Sequence, residues 1–266
     1  MKIRPGIELA NLTDVGCTRT ENQDYYAYAE AESDKEFRRK GRLAVVADGM
    51  GGHQGGQVAS TIAVEAIRDT YLQDEGEDPE AALIAAFSGA QAAILQLASE
   101  HPELTGMGTT CVAVAIRDGR LHYGHVGDSR LYLFRNSTIC RLTRDHTYVN
   151  RLVDEGTITP EQAETHPDRN VLTAALGMNR AVPAEFGEST LEASDVLLLC
   201  TDGLHGLVSD AEMLATTTRG SPSDACRELV ALAKARGGFD NITLQIIRID
   251  NGGEERQGSS HNRAEG

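Results

Sequence analysis

The chain changes its apolar period several times along its length. Residues 7–12, 25–30 and 42–47 are short apolar runs with strand character. Residues 56–72 and 79–100 follow with helical spacing. In the second of these, Leu83, Phe87, Ala90, Ile94 and Leu97 share one stripe after an Asp78-Pro79 start signal. "TTCVAVAI-RDGR-LHYGHV" predicts a hairpin that turns at Asp118-Gly119, and "LYLFR" and "ICRLT" predict another around Asn136-Ser137. Residues 144–170 are polar and broken, with one short helical piece. Strands are expected again at 183–190, 195–200 and 241–249, with helices near 209–218 and 221–236. Strands outnumber helices, and hairpin signals outnumber βαβ signals. The pattern predicts an α+β fold of antiparallel sheets layered with helices. Residues 251–266 form a polar, Gly-rich stretch expected to be a disordered tail.

Composition narrows the functional classes. The 266 residues are 40% hydrophobic and 24% charged, enough for one large domain with a core. The formal charge of −15 argues against a general nucleic-acid binder, whose footprint is basic. The first residues, "MKIRPGIELANLTD", lack the apolar core of a secretory signal. The uncharged run Ala81 to Ser99 nears spanning length but carries Ser88, Gln91 and Gln96, so it reads as a soluble amphipathic helix and no membrane partner is expected. Cysteines 17, 111, 140, 200 and 226 are odd in number and scattered, which suits a reducing cytoplasm. Cys111 and Arg117 have the Cys-x5-Arg spacing of cysteine-dependent phosphatases. The intervening "VAVAI" has no glycine to wrap amides around a phosphate, so this pair is read as core.

The candidate chemistry lies in "VVADGMGGHQGGQVAS", residues 45–60. It fails as a dinucleotide fingerprint because Gln54 stands where the third glycine belongs, and as a phosphate loop because no Lys-Ser/Thr follows. A metal site or a plain strand-to-helix turn remains. Asp48 ends "LAVVAD", Asp202 ends "LLLCTD", Asp128 ends "HYGHVGD", Asp14 ends "IELANLTD", and Asp240 begins "DNITLQII". In antiparallel sheets the end of one strand lies beside the start of its neighbour, so these aspartates are expected at one sheet edge. A lone strand-end Asp is more often a turn former or cap. Several together repel unless cations lie between them, and an all-oxygen set selects Mg or Mn over zinc.

"DVGCTRTENQD" (14–24), "VADGMGGHQGG" (46–56), "GTT" (108–110), "GHVGDSRLY" (124–132), "LTRDHT" (142–147), "LTAALG" (172–177), "LCTDGL" (199–204) and "GGFDNIT" (237–243) occur in that order. With these motifs the chain resembles the bacterial metal-dependent serine/threonine protein phosphatases of type 2C over residues 7–249. The resemblance implies a four-layer α-β-β-α sandwich over residues 1–250, with residues 144–170 as a flap beside the active site. It implies two Mn or Mg ions: Asp48 bridging both, Gly49 lending a carbonyl to one, and Asp202 and Asp240 holding the other. Bacterial relatives often bind a third ion, and Asp128 with Asp202 matches that position. Arg19 matches the arginine that grips the substrate phosphate, and Asp24 an acidic residue that orders water at the metals. Animal and plant relatives carry His directly after the Asp-Gly, where this chain has Met50. His53 is therefore the candidate general acid, and it reads equally as a helix-start residue; His146 reads as structural or substrate-side. The implied substrates are phosphoserine and phosphothreonine proteins, among them a bacterial serine/threonine kinase, acted on by a cytoplasmic monomer. Hydrolysis of small phosphate esters and an inactive binding role stay open as alternatives.

Overall fold

A computed structural model of the chain describes residues 3–51, 55–178 and 184–250. His53 and the 251–266 tail lie outside the described residues. Two antiparallel sheets dominate. The first contains β1 (Ile7–Asp14), β7 (Arg130–Arg135), β8 (Thr138–Arg141), β10 (Val196–Cys200) and β11 (Ile242–Ile249), in the order β1-β11-β10-β7-β8. The second contains β2 (Asp24–Glu30), β3 (Arg42–Met50), β5 (Cys111–Arg117), β6 (Arg120–Val126) and β9 (Glu185–Thr190), in the order β2-β3-β5-β6-β9. The short β4 (Gly108–Thr109) pairs with the far end of β3.

The central strands β3, β5 and β10 read as continuous apolar runs because both of their faces are buried. Val46, Val112 and Val114 of the second sheet meet Leu197, Leu199 and Ile247 of the first, forming the inner layer. On the opposite faces, Val45 and Ala113 lie under α2 (Gly55–Gln73) and α3 (Pro79–Glu100). Leu198, Leu244 and Ile246 lie under α7 (Asp210–Thr217) and α8 (Pro222–Ala235). The result is the α-β-β-α sandwich. A fully buried polar side chain crosses the inner layer: Gln245 of β11 donates Nε2 to the carbonyls of Val45 (2.9 Å) and Ala27 (3.0 Å) on the other sheet.

α3 is long and apolar enough to cross a bilayer by length and composition. Here it turns Leu83, Ala86, Phe87, Ala90 and Ile94 into the core beside α2. Both predicted hairpins close on two-residue turns with positive φ at each position, Asp118 (50°) with Gly119 (71°) and Asn136 (51°) with Ser137 (58°). Such turns match the twist of paired strands.

Several elements differ from the sequence expectation. α1 (Asp34–Lys40) carries no apolar stripe and is held at its ends, by the Ser33 hydroxyl accepting from Glu36 N at 3.2 Å and by Gly41 at φ +66°. The 144–170 segment holds two short helices, α4 (Tyr148–Asp154) and α5 (Pro160–Glu164), each started by a threonine cap. α6 (Asp202–His205) is a single turn that begins on a candidate ligand.

Candidate metal centre and phosphate site

The strand ends deliver carboxylates from both sheets to one edge. Asp24 and Asp48 are register partners across the β2–β3 pair. Asp202 follows β10, Asp240 precedes β11, and Asp128 lies in the turn after β6. Burial, then the charges of Asp24, Asp202, Asp128 and Asp240, push Asp48 well above the usual carboxylate range. Burial, with Asp202 and Asp240 adding, raises Asp24 to about 7. Asp128 is raised to about 8 by burial, then by Asp202 and Asp145. Asp202 is raised by burial and then by Asp240. Each of these raised carboxylates feels another member of the set, so the edge is a single electrostatic unit. Asp14 is the exception. Its carboxylate takes Lys234 Nζ at 2.9 and 2.8 Å and Gly16 N at 2.8 Å, so it braces the loop after β1 instead of joining the cluster.

The cluster fits divalent cations on its own chemistry. Asp24 Oδ1 and Asp202 Oδ1 are buried without a partner, and packed carboxylates repel unless positive charge lies between them. An all-oxygen donor set suits Mg²⁺ or Mn²⁺. Two glycines permit the close approach of the backbone. A Cβ at Gly49 would lie 2.0 Å from the Gly56 carbonyl oxygen, and one at Gly203 would lie 1.9 Å from that of Asn241.

The surrounding motif residues hold the ligands in place, a role that sequence reading did not assign to them. Thr110 N and Thr109 Oγ1 donate to the Asp48 carbonyl at 2.9 and 2.8 Å, and Asp48 N donates to Thr110 Oγ1 at 3.1 Å. Thr110 Oγ1 also meets Ser129 Oγ at 2.7 Å, linking the Asp48 strand to the Asp128 turn. Thr201 Oγ1 donates to Asp24 Oδ2 at 2.9 Å. Asn241 accepts from Gln23 N at 2.8 Å and donates to the carbonyls of Val15 and Glu21, both at 3.0 Å. These bonds pin the loop that carries Arg19. For three aspartates the signal was a neighbouring hydroxyl or amide, in "GDS", "CTD" and "DNIT"; the "GTT" threonines that hold Asp48 lie some sixty residues along the chain from it.

Arg19 reaches the cluster: its Nη2 lies 2.8 Å from Asp240 Oδ2. The Asp240 bond holds its pKa up, with smaller contributions from the charges of Asp48 and Asp202. The Asp128 turn is fixed by His205, whose Nε2–H donates to the Asp128 carbonyl at 2.9 Å. Arg130 grips Asp145 through Nε at 2.9 Å and Nη2 at 2.6 Å beside it. A cavity of about 1040 Å³ opens from Asp128, Asp202 and Asp240. The 144–170 segment walls it with Arg144, Thr147, Asn150 and Arg169, and exposed Phe239 stands at its rim. Cys111, the cysteine of the discarded pair, is buried in β5 with its thiol pushed up by burial.

Comparison with known proteins places this edge in context. Residues 18–234 match the family model described as Protein phosphatase 2C. The protein phosphatase PhpP of Streptococcus pneumoniae is 36% identical over 250 residues, which span 92% of this chain and 98% of that one. The crystal structure of the Mycobacterium tuberculosis serine/threonine phosphatase PstP superposes with a TM-score of 0.83 at 36% identity, covering 92% of this chain and 99% of that chain. The catalytic domain of PstP in complex with 2 manganese ions superposes with a TM-score of 0.81 at 34% identity, again over 92% and 99%. Sandwich, carboxylate edge and sequence match agree, and the chain belongs to the protein phosphatase 2C family.

Proposed function

We propose that the carboxylate edge is where this chain, a Mn- or Mg-dependent serine/threonine protein phosphatase by family, splits phosphate from protein substrates. The two orphaned buried oxygens, Asp24 Oδ1 and Asp202 Oδ1, carry the assignment, because they are acceptors with no protein donor. Asp48, Asp202, Asp240 and the Gly49 carbonyl are the proposed ligands of two ions, and Asp128 with Asp202 those of a third. Such ions supply a nucleophile at neutral pH by lowering the pKa of bound water, and they neutralise charge on phosphate oxygens.

The chain's own groups do the rest. Asp24, aimed by Thr201, orients water by accepting a hydrogen bond from it. Arg19 presents a planar guanidinium to the phosphate, suited to bidentate contact. The cavity between the 144–170 segment and α6 receives the flanking peptide. His53 is the proposed proton donor to the departing serine or threonine oxygen. Phosphorylated kinases are proposed among the substrates, and a monomer in the cytoplasm as the working form; the five free cysteines favour a reducing compartment. Release of phosphate from phosphoserine and phosphothreonine peptides, with nucleotides and sugar phosphates as competitors, tests the reading. Turnover requiring added manganese and favouring peptides supports it. Turnover that survives exhaustive chelation, or that favours small esters, overturns it.

A further inference from the structure

A second group of ligating side chains lies outside the carboxylate edge. His125, near the end of β6, and Glu185, at the start of β9, are register partners across the β6–β9 pair. Their side chains therefore leave the sheet on one face. Leu121 and Tyr123, four and two residues before His125, pack into the layer between the sheets, so that face looks inward. His146, from the segment after β8, lays its ring against that of His125 with centroids 4.5 Å apart. Its Nε2 lies 3.4 Å from Glu185 Oε1. One ligand atom from each of the three residues falls within 4.8 Å of the others.

The hydrogen bonds decide which nitrogens are free. His125 Nε2 lies 2.9 Å from the Gly127 carbonyl, which only accepts, so the ring proton sits on Nε2. The lone pair on Nδ1 is then bare. His125 is fully buried, and this Nδ1 has no partner. Burial holds the ring neutral, its pKa drawn down to about 4. An imidazole that gives one N–H to a backbone carbonyl and leaves its other nitrogen open is arranged as metal-binding histidines are.

We propose that His125, His146 and Glu185 form a second metal site, separate from the carboxylate edge, that takes a borderline transition-metal ion such as zinc. Two imidazoles and one carboxylate suit zinc and disfavour Mg²⁺, and three protein ligands leave a fourth position for water. Glu185, with its side chain 58% exposed, provides the entry side.

The site is wired to the Asp128 turn. His146 Nδ1 accepts from Gly127 N at 3.2 Å, so its proton rests on Nε2. Coordination through Nε2 moves that proton to Nδ1, where it faces the Gly127 N–H and breaks that bond. No proton leaves the protein in this tautomer change. Gly127 immediately precedes Asp128, so loading the site loosens the turn that aims this carboxylate. Zinc is expected to lower turnover without displacing manganese, a consequence that rests on the role proposed for Asp128; the binding itself does not.

Cobalt(II) is the probe, because a tetrahedral site with two imidazoles absorbs visible light strongly while six oxygen ligands absorb weakly. The full chain, saturated with manganese, is titrated with Co²⁺. The expected result is a strong visible band saturating at one equivalent and bleached by Zn²⁺. The band is lost in His125→Gln and in Glu185→Gln, and kept in Asp240→Asn. Glu185→Gln alters a half-exposed edge residue and is expected to keep full phosphatase activity, so a folded variant lacking the band is in hand even if His125→Gln misfolds. A missing band in the parent chain, a band unchanged in Glu185→Gln, or one lost in Asp240→Asn each overturns the site.

Discussion

Asp24 and Asp48 stand directly opposite each other on neighbouring antiparallel strands, Asp24 buried and both raised in pKa. Like charges in register destabilise a strand pair, so without cations the folded protein keeps protons on this edge. The direction of the pH effect follows. Asp24 at about 7 and Asp128 at about 8 are raised above the ordinary carboxylate value of 3.8. A group raised on folding contributes its full stability below the unfolded pKa and loses it as pH climbs through the folded one. The chelated protein is therefore expected to melt at progressively lower temperature as pH rises from about 4 to about 8. Saturating manganese should flatten this slope. Thermal unfolding with EDTA and with manganese at several pH values measures both. A chelated protein that gains stability across that window contradicts the assignment.

Asp48→Asn and Asp240→Asn should each cost more than ~100-fold in turnover, beyond the range seen for residues that merely support a ligand. Asp48→Asn has a second expected effect that a plain active-site defect would not produce. Removing one of the facing carboxylates should raise the melting temperature of the metal-free protein near pH 8, where Asp24 is ionising. Kinetics at saturating manganese and unfolding in EDTA read the two effects separately.

Asp128→Ala should leave the first two ions in place and impair turnover. His205 on the Asp128 carbonyl, and Ser129 and Thr109–Thr110 on the side of Asp48, make bonds that do not use the Asp128 carboxylate, so its loss does not unpin Asp48. Manganese stoichiometry by calorimetry is expected to fall by one site. Full activity with unchanged stoichiometry would show that Asp128 binds no ion.

Arg19 is bonded to Asp240, one of the proposed ligands, at 2.8 Å. The pair is half-exposed, so its own contribution to stability is small. Arg19→Ala is expected to leave the fold intact, raise KM for a phosphopeptide and leave manganese affinity nearly unchanged. A loss of kcat, from a few-fold to about 100-fold, follows if the contact tightens as charge builds in the transition state. Arg19→Lys should recover only part. Unchanged KM and kcat would take the arginine out of phosphate binding.

The sequence made the sandwich legible because both faces of each central strand are buried, so "LAVVAD" and "VLLLC" stand out as unbroken apolar runs. The carboxylate edge was legible because antiparallel pairing forces alternate strand ends together. Asp14 broke the rule for a reason that lies far along the chain: Lys234 on α8 reaches its carboxylate. Nothing near residue 14 announces that partner. α1 and α6 escaped notice because seven and four residues are too short to show a helical period. The zinc-type trio was hidden for a different reason. His125, His146 and Glu185 carry no shared spacing, and only the β6–β9 register and the return of the chain at His146 bring them together.

Gln245 sets a mechanical condition on catalysis. Asp24 and Asp48 ride on one sheet, while Asp202 and Asp240 ride on the other. Between the sheets lie mostly apolar side chains, which resist separation but offer little against sliding. The Gln245 amide works as a keyway, since its two directional bonds tie β11 to β2 and β3 and oppose shear of one plate over the other. Its Oε1 is buried without a partner, so Gln245→Met sheds one unpaired acceptor as it loses two donated bonds, and global stability should change little. The expected loss is alignment: weaker manganese binding at a nearly unchanged melting temperature, seen by calorimetry beside thermal unfolding. A jaw whose two halves are machined separately closes true only if they are pinned, and Gln245 pins them in the middle as the Thr201–Asp24 bond does at the rim.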